Sequence, residues 1–310
     1  MAVLRQSKTI LAAKKESSYG SAATLAGTDC FLVTDVSLTP LATDVVERPT
    51  INGFPGAKPF IQANTHVELS ATMELTPSGT AGTPPDYLDL LLGAGLVHDN
   101  QSSFNKFTPE TDLSTADSLT IGVYIDGSLH KMTGARGSIS LAVSTAEAPQ
   151  ITFTYQGVYV APSATTNLTP TYAQLAPLVA NATNTTGFQI HSYAGALQSF
   201  TFDQNNNLYY SELVSSTKQV RITERASSGA VTIESVGLGT KNFYNIANST
   251  ATGNLTWQHG QTAGNKITFL ASTTQLENIS QESNEDYQML NIGYRALPNA
   301  GNDEFELKFH

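Results

Sequence analysis

The chain has 310 residues, 40% of them hydrophobic and 14% charged, and carries a net charge of −10. An acidic surface cannot neutralise phosphates, which excludes independent nucleic-acid binding as a main role. The single cysteine, Cys30, excludes an internal disulfide, and no apolar run approaches the roughly 20 residues of a membrane helix.

The charged share falls below the roughly 25% usual in globular domains. Ser, Thr, Asn and Gly fill the gap, a mix that suits short strands and turns better than long helices. The length suggests two domains. Residues 1–28 are polar, with small residues and no sustained period, and read as an arm rather than a packed element. Met1 to Leu11 has no apolar core of signal-peptide length, which sets the expectation of a protein made and assembled in a cytoplasm. Phe31 to Val36 begins the first strand-like run, and Pro40 interrupts or borders an edge strand. Val45 to His66 carries Pro49, Gly53, Pro55, Gly56 and Pro59, with Phe54, Phe60 and Ile61 among them. A long loop so stiffened, and bearing aromatics, reads as a docking element.

From His66 to Leu75 apolar and polar residues alternate, which predicts a half-buried strand. A Gly/Pro/Thr turn leads into a helix over Tyr87–Leu92, with Pro85 suited to its first turn and Gly93 and Gly95 to its end. Leu119–Ile125, Leu129–Val143 and Ile151–Val160 read as antiparallel strands, with Asp126-Gly127 as a hairpin turn. Residues 161–187 are rich in Pro, Ala, Thr and Asn and read as a linker. Phe188–Phe202 is strand-like, Asp203–Asn207 a turn, and Tyr209–Thr223 an extended polar segment. Ala230–Val236 alternates, and Lys241–Asn248 reads as a short helix. Leu255–His259, Lys266–Leu270, Tyr287–Leu297 and Phe305–Phe309 complete the strands.

The two halves correspond in order, which suggests an internal duplication. Lys131-Met132-Thr133 against Lys266-Ile267-Thr268, Leu141 against Leu276 and Tyr159 against Tyr294 share a spacing of 135 residues. Earlier elements are spaced further apart, which places an insertion in the first copy near residues 97–117. The expected organisation is an arm at 1–28, a first domain at 29–160, a linker at 161–187 and a second domain at 188–310. Each domain is expected to be a β-sandwich or barrel with a short flanking helix.

Signatures of chemistry are missing. There is no phosphate-binding loop, nucleophile elbow or dinucleotide fingerprint. His66, His98, His130, His191, His259 and His310 are not spaced as metal ligands, and Cys30 stands alone. Asp86 and Asp89 suit the first turn of a helix, and Glu285-Asp286 suits a polar turn. No catalytic residue, cofactor or metal is therefore expected.

Ordered stretches along nearly the whole chain carry a resemblance. They include Leu38-Thr39-Pro40-Leu41, Val46-Glu47-Arg48, Gly56-Ala57-Lys58-Pro59 and Ser78-Gly79-Thr80-Ala81-Gly82-Thr83. Asp126-Gly127-Ser128-Leu129-His130-Lys131-Met132-Thr133-Gly134-Ala135-Arg136-Gly137 and Tyr155-Gln156-Gly157-Val158-Tyr159-Val160 follow. His259-Gly260-Gln261-Thr262-Ala263-Gly264-Asn265 and Pro298-Asn299-Ala300-Gly301-Asn302-Asp303-Glu304 complete the set. In these the chain resembles the tail tube proteins of long, flexible-tailed phages, in the family with two tube domains in one chain.

The resemblance implies a mainly β, non-enzymatic virion protein. It implies rings of three chains, pseudo-six-fold, stacked into a tube through which DNA passes without specific binding. Implied partners are further copies of the chain, a tape-measure protein, and tail terminator or tip proteins; no membrane is involved. A long hairpin of each domain is expected to reach the next ring, here Asp44–His66 and Tyr209–Arg225. The candidate interface residues are Arg48, Phe54, Lys58, Phe60, Ile61, Tyr209, Tyr210, Arg221 and Arg225. The four cations are expected to meet acidic groups of a neighbouring ring. The rival readings are a virion adhesin or carbohydrate-binding module, a single-ring connector or terminator, and a hydrolase with convergently placed residues.

Overall fold

The first strand, β1 (Thr9–Lys15), lies inside the arm expected over residues 1–28 and corrects that reading. Leu11, Ala12 and Ala13 are at most 1% exposed. Ile10-Leu11-Ala12-Ala13 is a continuous apolar run, the pattern of a strand covered on both faces, which a search for alternation passes over. The computed structural model describes residues 4–51 and 53–310; residues 1–3 of the arm and Asn52 of the proline-rich loop lie outside the described residues.

After the short β2 (Cys30–Phe31), β3 (Asp35–Glu47) and β4 (Phe60–Glu74) form a long antiparallel hairpin. Both flanks of the expected loop are therefore strand, with Val45 opposite Gln62, Val46 opposite Ile61 and Glu47 opposite Phe60. Pro40 sits where the β3 register shifts, between Thr39 and Ala42, a place where a residue without an N–H fits an edge strand. The helix α1 (Leu88–Gly93) matches its expected position to within a residue. It is followed by Gly95 at φ 73°.

A hairpin of β5 (Leu96–Gln101) and β6 (Phe104–Pro109) occupies the stretch read as an insertion. β7 (Leu119–Ile125) and β8 (Ser128–Ser144) meet at Asp126-Gly127, whose φ values of 44° and 94° are those a two-residue hairpin turn requires. β9 (Gln150–Ala164) closes the first half. The chain from 165 to 184 contains no strand. It is nonetheless pinned to the first half: Gly127 N–H donates to Asn167 Oδ1, and Gln174 donates to the Glu74 carbonyl.

The run expected over Phe188–Phe202 is two strands, β10 (Thr185–Ile190) and β11 (Leu197–Asp203). The chain reverses between them at His191 and Ser192, both at positive φ. The polar segment is a separate two-stranded hairpin of β12 (Asn206–Ser211) and β13 (Gln219–Arg225). β14 (Ser228–Glu234) leads to α2 (Phe243–Asn248), whose N-terminus is capped by the Asn242 side chain accepting from Asn245 N–H at 2.9 Å. β15 (Thr252–His259), β16 (Ile267–Asn284), β17 (Tyr287–Ala296) and β18 (Glu306–Phe309) complete the chain. β16 runs well past the expected Leu270, because Ser, Thr, Gln and Glu take over and hide the strand pattern.

The architecture is mainly β and fits a β-sandwich. One order of antiparallel strands occurs twice. In the first half it is β3-β4-β9-β8-β7-β1. In the second it is β11-β14-β17-β16-β15-β10. Each helix falls between the second-placed strand and the fifth, and a positive φ follows each, at Gly95 and Thr250.

The constant spacing of 135 residues does not survive the ladders. Tyr159 pairs with Met132, whereas Tyr294 pairs with Leu276 and not with Ile267. By strand order Tyr155 and Tyr294 take like places, both buried and each donating its hydroxyl to a backbone carbonyl, of Leu90 and Thr201 respectively.

The halves are joined twice, by β8 with β11 and by β6 with β18. The core runs through both. In the second half Phe200, Phe202, Trp257, Phe269, Tyr294 and Phe305 form one aromatic cluster, all at most 1% exposed.

Two histidines of the second half are buried. His259 is 4% exposed; its Nε2–H donates to the Leu178 carbonyl, so Nδ1 accepts from the Thr185 hydroxyl. His191 is 6% exposed and donates to Thr274 Oγ1, whose own proton goes to the Gly253 carbonyl. Burial holds both imidazoles below the ordinary 6.5, and Lys241 lowers His191 further. The fold thus favours their neutral form, and below about pH 6.5 unfolding lets them take up protons. Their contribution to stability is therefore complete above about pH 6.5 and is lost as pH falls below it. Thermal unfolding should be flat in pH from 8 to 7 and drop from 6.5 to 5, with a smaller drop in a His191→Gln/His259→Gln variant. Equal slopes would assign the acid sensitivity elsewhere.

Candidate assembly surfaces

Strand edges make the first surface. Inside the chain β11 pairs with the end of β8, Thr201 opposite Ala142 and Phe202 opposite Leu141, so the sheet of the first half continues into the second. β3, which holds the place of β11 in the first half, pairs among the described residues on one side only, with β4. The far end of β16, which holds the place of the end of β8, pairs from Ser280 to Asn284 only with β17. These two strand edges are thus open among the described residues, and they are the two halves of the β8–β11 joint that the chain makes once internally. Open edges carry unpaired N–H and C=O groups and are templates for pairing with another chain.

The hairpins make the second surface. The β12–β13 hairpin folds back across β8, β9 and β4 of the first half. Tyr210 is buried and stacks on His66 at 5.1 Å, and Val220 and Ile222 are 0% and 5% exposed. Both backbone groups of Val220 are captured: its N–H donates to the Tyr19 hydroxyl, and its carbonyl accepts from Arg136 Nη1. Arg136 in turn lies 5.1 Å over the Tyr19 ring. This cover explains why β8 is buried at every position from Met132 to Ile139, polar ones included. The core takes one face and the hairpin the other.

Among the described residues the β3–β4 hairpin stem is not covered in this way. Val45, Val46, Phe60 and Ile61 are 52–57% exposed, and Phe54 at the tip is 77% exposed. Lys58 is exposed too. Arg48 is exposed and forms no ion pair among the described residues.

The candidate residues therefore divide. Arg48, Phe54, Lys58, Phe60 and Ile61 share one exposed hairpin. Tyr209 and Arg221 face each other across the outer side of the second hairpin and are exposed. Tyr210 and Arg225 serve the chain itself and correct the expectation of outward contacts. Arg225 Nη2 meets Glu304 Oε1 at 2.7 Å, and Nη1 donates to the Glu110 carbonyl at 2.9 Å. Its side chain is only 8% exposed, because the segment before β18 folds over it. Sequence reasoning marked the β3 edge only through Pro40, and missed the far end of β16 and the Tyr19–Arg136 clamp. The Val45-Val46 pair was the available signal for the stem of the first hairpin.

Among the described residues no group of three or more His, Cys, Asp or Glu side chains is placed to hold a metal ion, and no helix is long and apolar enough to cross a membrane. A cleft of about 770 Å³ over the β8–β11 joint is lined by Glu234, Glu282 and Glu285 among others, without a histidine or lysine.

Fold and edges define a β-structural protein with surfaces suited to assembly. A family model described as phage tail tube protein matches residues 6–296. The chain belongs to the phage tail tube protein family. Membership implies a structural role in the tail tube, self-assembly into a tube and a place in the virion. A search of curated proteins finds no match to the chain.

Proposed function

We propose that three copies of this chain close a pseudo-six-fold ring, and that rings stack into the conduit that passes DNA during ejection from a long, flexible tail. One observation carries the reading. The chain makes the β8–β11 joint once internally and, among the described residues, leaves the matching halves of a second such joint open at β16 and β3. A head-to-tail contact between different surfaces closes into a ring when the rotation fits. On this reading the two strand runs are copies of one tube domain, at 29–160 and 188–310. The segment 161–187 is the linker between them, and three chains supply six domains.

Ring formation removes edges that would otherwise pair without control. The net charge of −10 suits a channel that must not hold DNA, since repulsion acts over roughly 10 Å in ordinary salt. A tape-measure protein and terminator or tip proteins are the further partners, with assembly in the host cytoplasm.

Electron microscopy of the purified protein tests the reading: stacked rings with three copies each are expected. Isolated single rings would favour a connector or terminator, and monomers that never assemble would favour an adhesin. The tip of the first hairpin should carry the ring-to-ring contact, with Arg48 meeting an acidic group of the next ring. Arg48→Glu is expected to cut tube growth several-fold while leaving the circular dichroism spectrum and unfolding midpoint unchanged. Tubes of normal length from this variant would remove Arg48 from the contact.

A further inference from the structure

We propose that the stem of the β3–β4 hairpin, residues 44–47 and 60–63, lies across the β14–β17–β16 face of a second copy of this chain. The inference rests on the ring reading above and names the surface that the hairpin meets. Its template is inside the molecule. After pairing with β8, β11 runs through Gln204 and Asn206 into the β12–β13 hairpin, which then crosses the sheet it has just joined. The turn is fixed there: Gln204 N–H donates to the Ile139 carbonyl, and Asn206 Nδ2 donates to the carbonyls of Gly137 and Ala94. Strand joint and hairpin docking are consecutive in sequence, so one places the other. β3 runs in the same way into its own hairpin.

The two faces differ as the inference requires. Where β8 is buried on both faces from Met132 to Ile139, β16 alternates, with Gln275 and Glu277 half-buried between the buried Thr274 and Leu276. By strand order and register Gln275 and Glu277 hold the places of Arg136 and Ser138, which the second hairpin covers. Arg295, in the place of Gln156, pairs with Glu277 at 2.9 Å with its side chain 65% exposed.

The two hairpins differ in the complementary sense. In the second, the cross-strand pairs Leu208/Ile222 and Tyr210/Val220 form the covered face. In the first, Val46/Ile61 is an apolar cross-strand pair of which both members are more than half exposed. An uncovered apolar stem and an uncovered sheet face are thus present once each per chain, as a repeating contact between copies needs.

Single-cysteine variants in a Cys30→Ser background test this. Tubes grown from a mixture of Ile61→Cys and Glu277→Cys chains, treated with a short bis-maleimide, should give cross-linked dimers as the main product. A mixture of Ile61→Cys with Val179→Cys should give none. In the wild-type protein, hydrogen exchange at 45–47, 60–62, 275–277 and 293–295 should slow at least tenfold on assembly. Tubes in which 45–47 and 60–62 become protected while 275–277 and 293–295 do not would overturn the inference and leave the tube reading standing. If wild-type chains form no tubes by microscopy, the tube reading fails and this inference with it.

Discussion

Glu16→Ala should lower the stability of the first half by roughly 2–6 kcal/mol, from two orphaned backbone amides at about 1–3 kcal/mol each. Glu16 is 5% exposed and stands just after β1. Its Oε2 accepts from Gly20 N–H and the Ser118 hydroxyl, both at 2.7 Å. Its Oε1 accepts from the Thr120 hydroxyl and Gly134 N–H, both at 2.9 Å. The hydroxyls can turn to other acceptors; the amides cannot. Glu16→Gln should lie between wild type and Ala, because its NH₂ group faces donors where a carboxylate oxygen stood. Urea unfolding followed by hydrogen exchange, with cleavage after Lys14 and Lys15 as a second readout, measures the loss. An Ala variant with wild-type protection at Gly134 would show that the carboxylate holds nothing.

Trp257→Ala should cost the second half about 3–5 kcal/mol, the usual loss when a large buried ring leaves a cavity. The indole is 0% exposed, edge-on to Phe200 at 5.3 Å and stacked on Phe269 at 6.0 Å. Its Nε1 makes no hydrogen bond among the described residues. Trp257→Phe therefore loses packing but no polar contact, and should cost much less than the Ala change. Trp257 is the chain's single tryptophan, so its fluorescence reports melting of this core in the wild type. Circular dichroism follows the variants. Ala and Phe variants with equal midpoints would mean that the cluster closes over the missing ring.

Much of the fold is legible in the sequence where side chains alternate or turns are chemically marked. The strand before Leu75, the Asp126-Gly127 turn and the helices at Leu88 and Phe243 are of this kind. β1 and β16 are harder for opposite reasons. β1 is apolar on both faces, so its pattern has no period. β16 becomes polar halfway because one face and one edge are uncovered in the single chain.

The candidate surfaces were legible as chemistry but not as geometry. Proline, glycine and aromatics marked the first hairpin. Nothing local distinguished Arg225, which meets Glu304 across the fold, from Arg48, which is exposed at the hairpin. Tyr210 is covered because of His66, a residue far away in the chain.

The pairing of β6 with β18 adds a mechanical consequence. Within a chain the halves are laced by two ladders, β8–β11 and β6–β18. In the second half no strand lies between α2 and β15, so a neighbour finds no counterpart of β6 to grip. In the proposed ring, stiff seams would alternate with compliant ones, three of each. The angle within a chain would be set before any ring closes, and flexing of a bent tail would concentrate where one polypeptide meets the next.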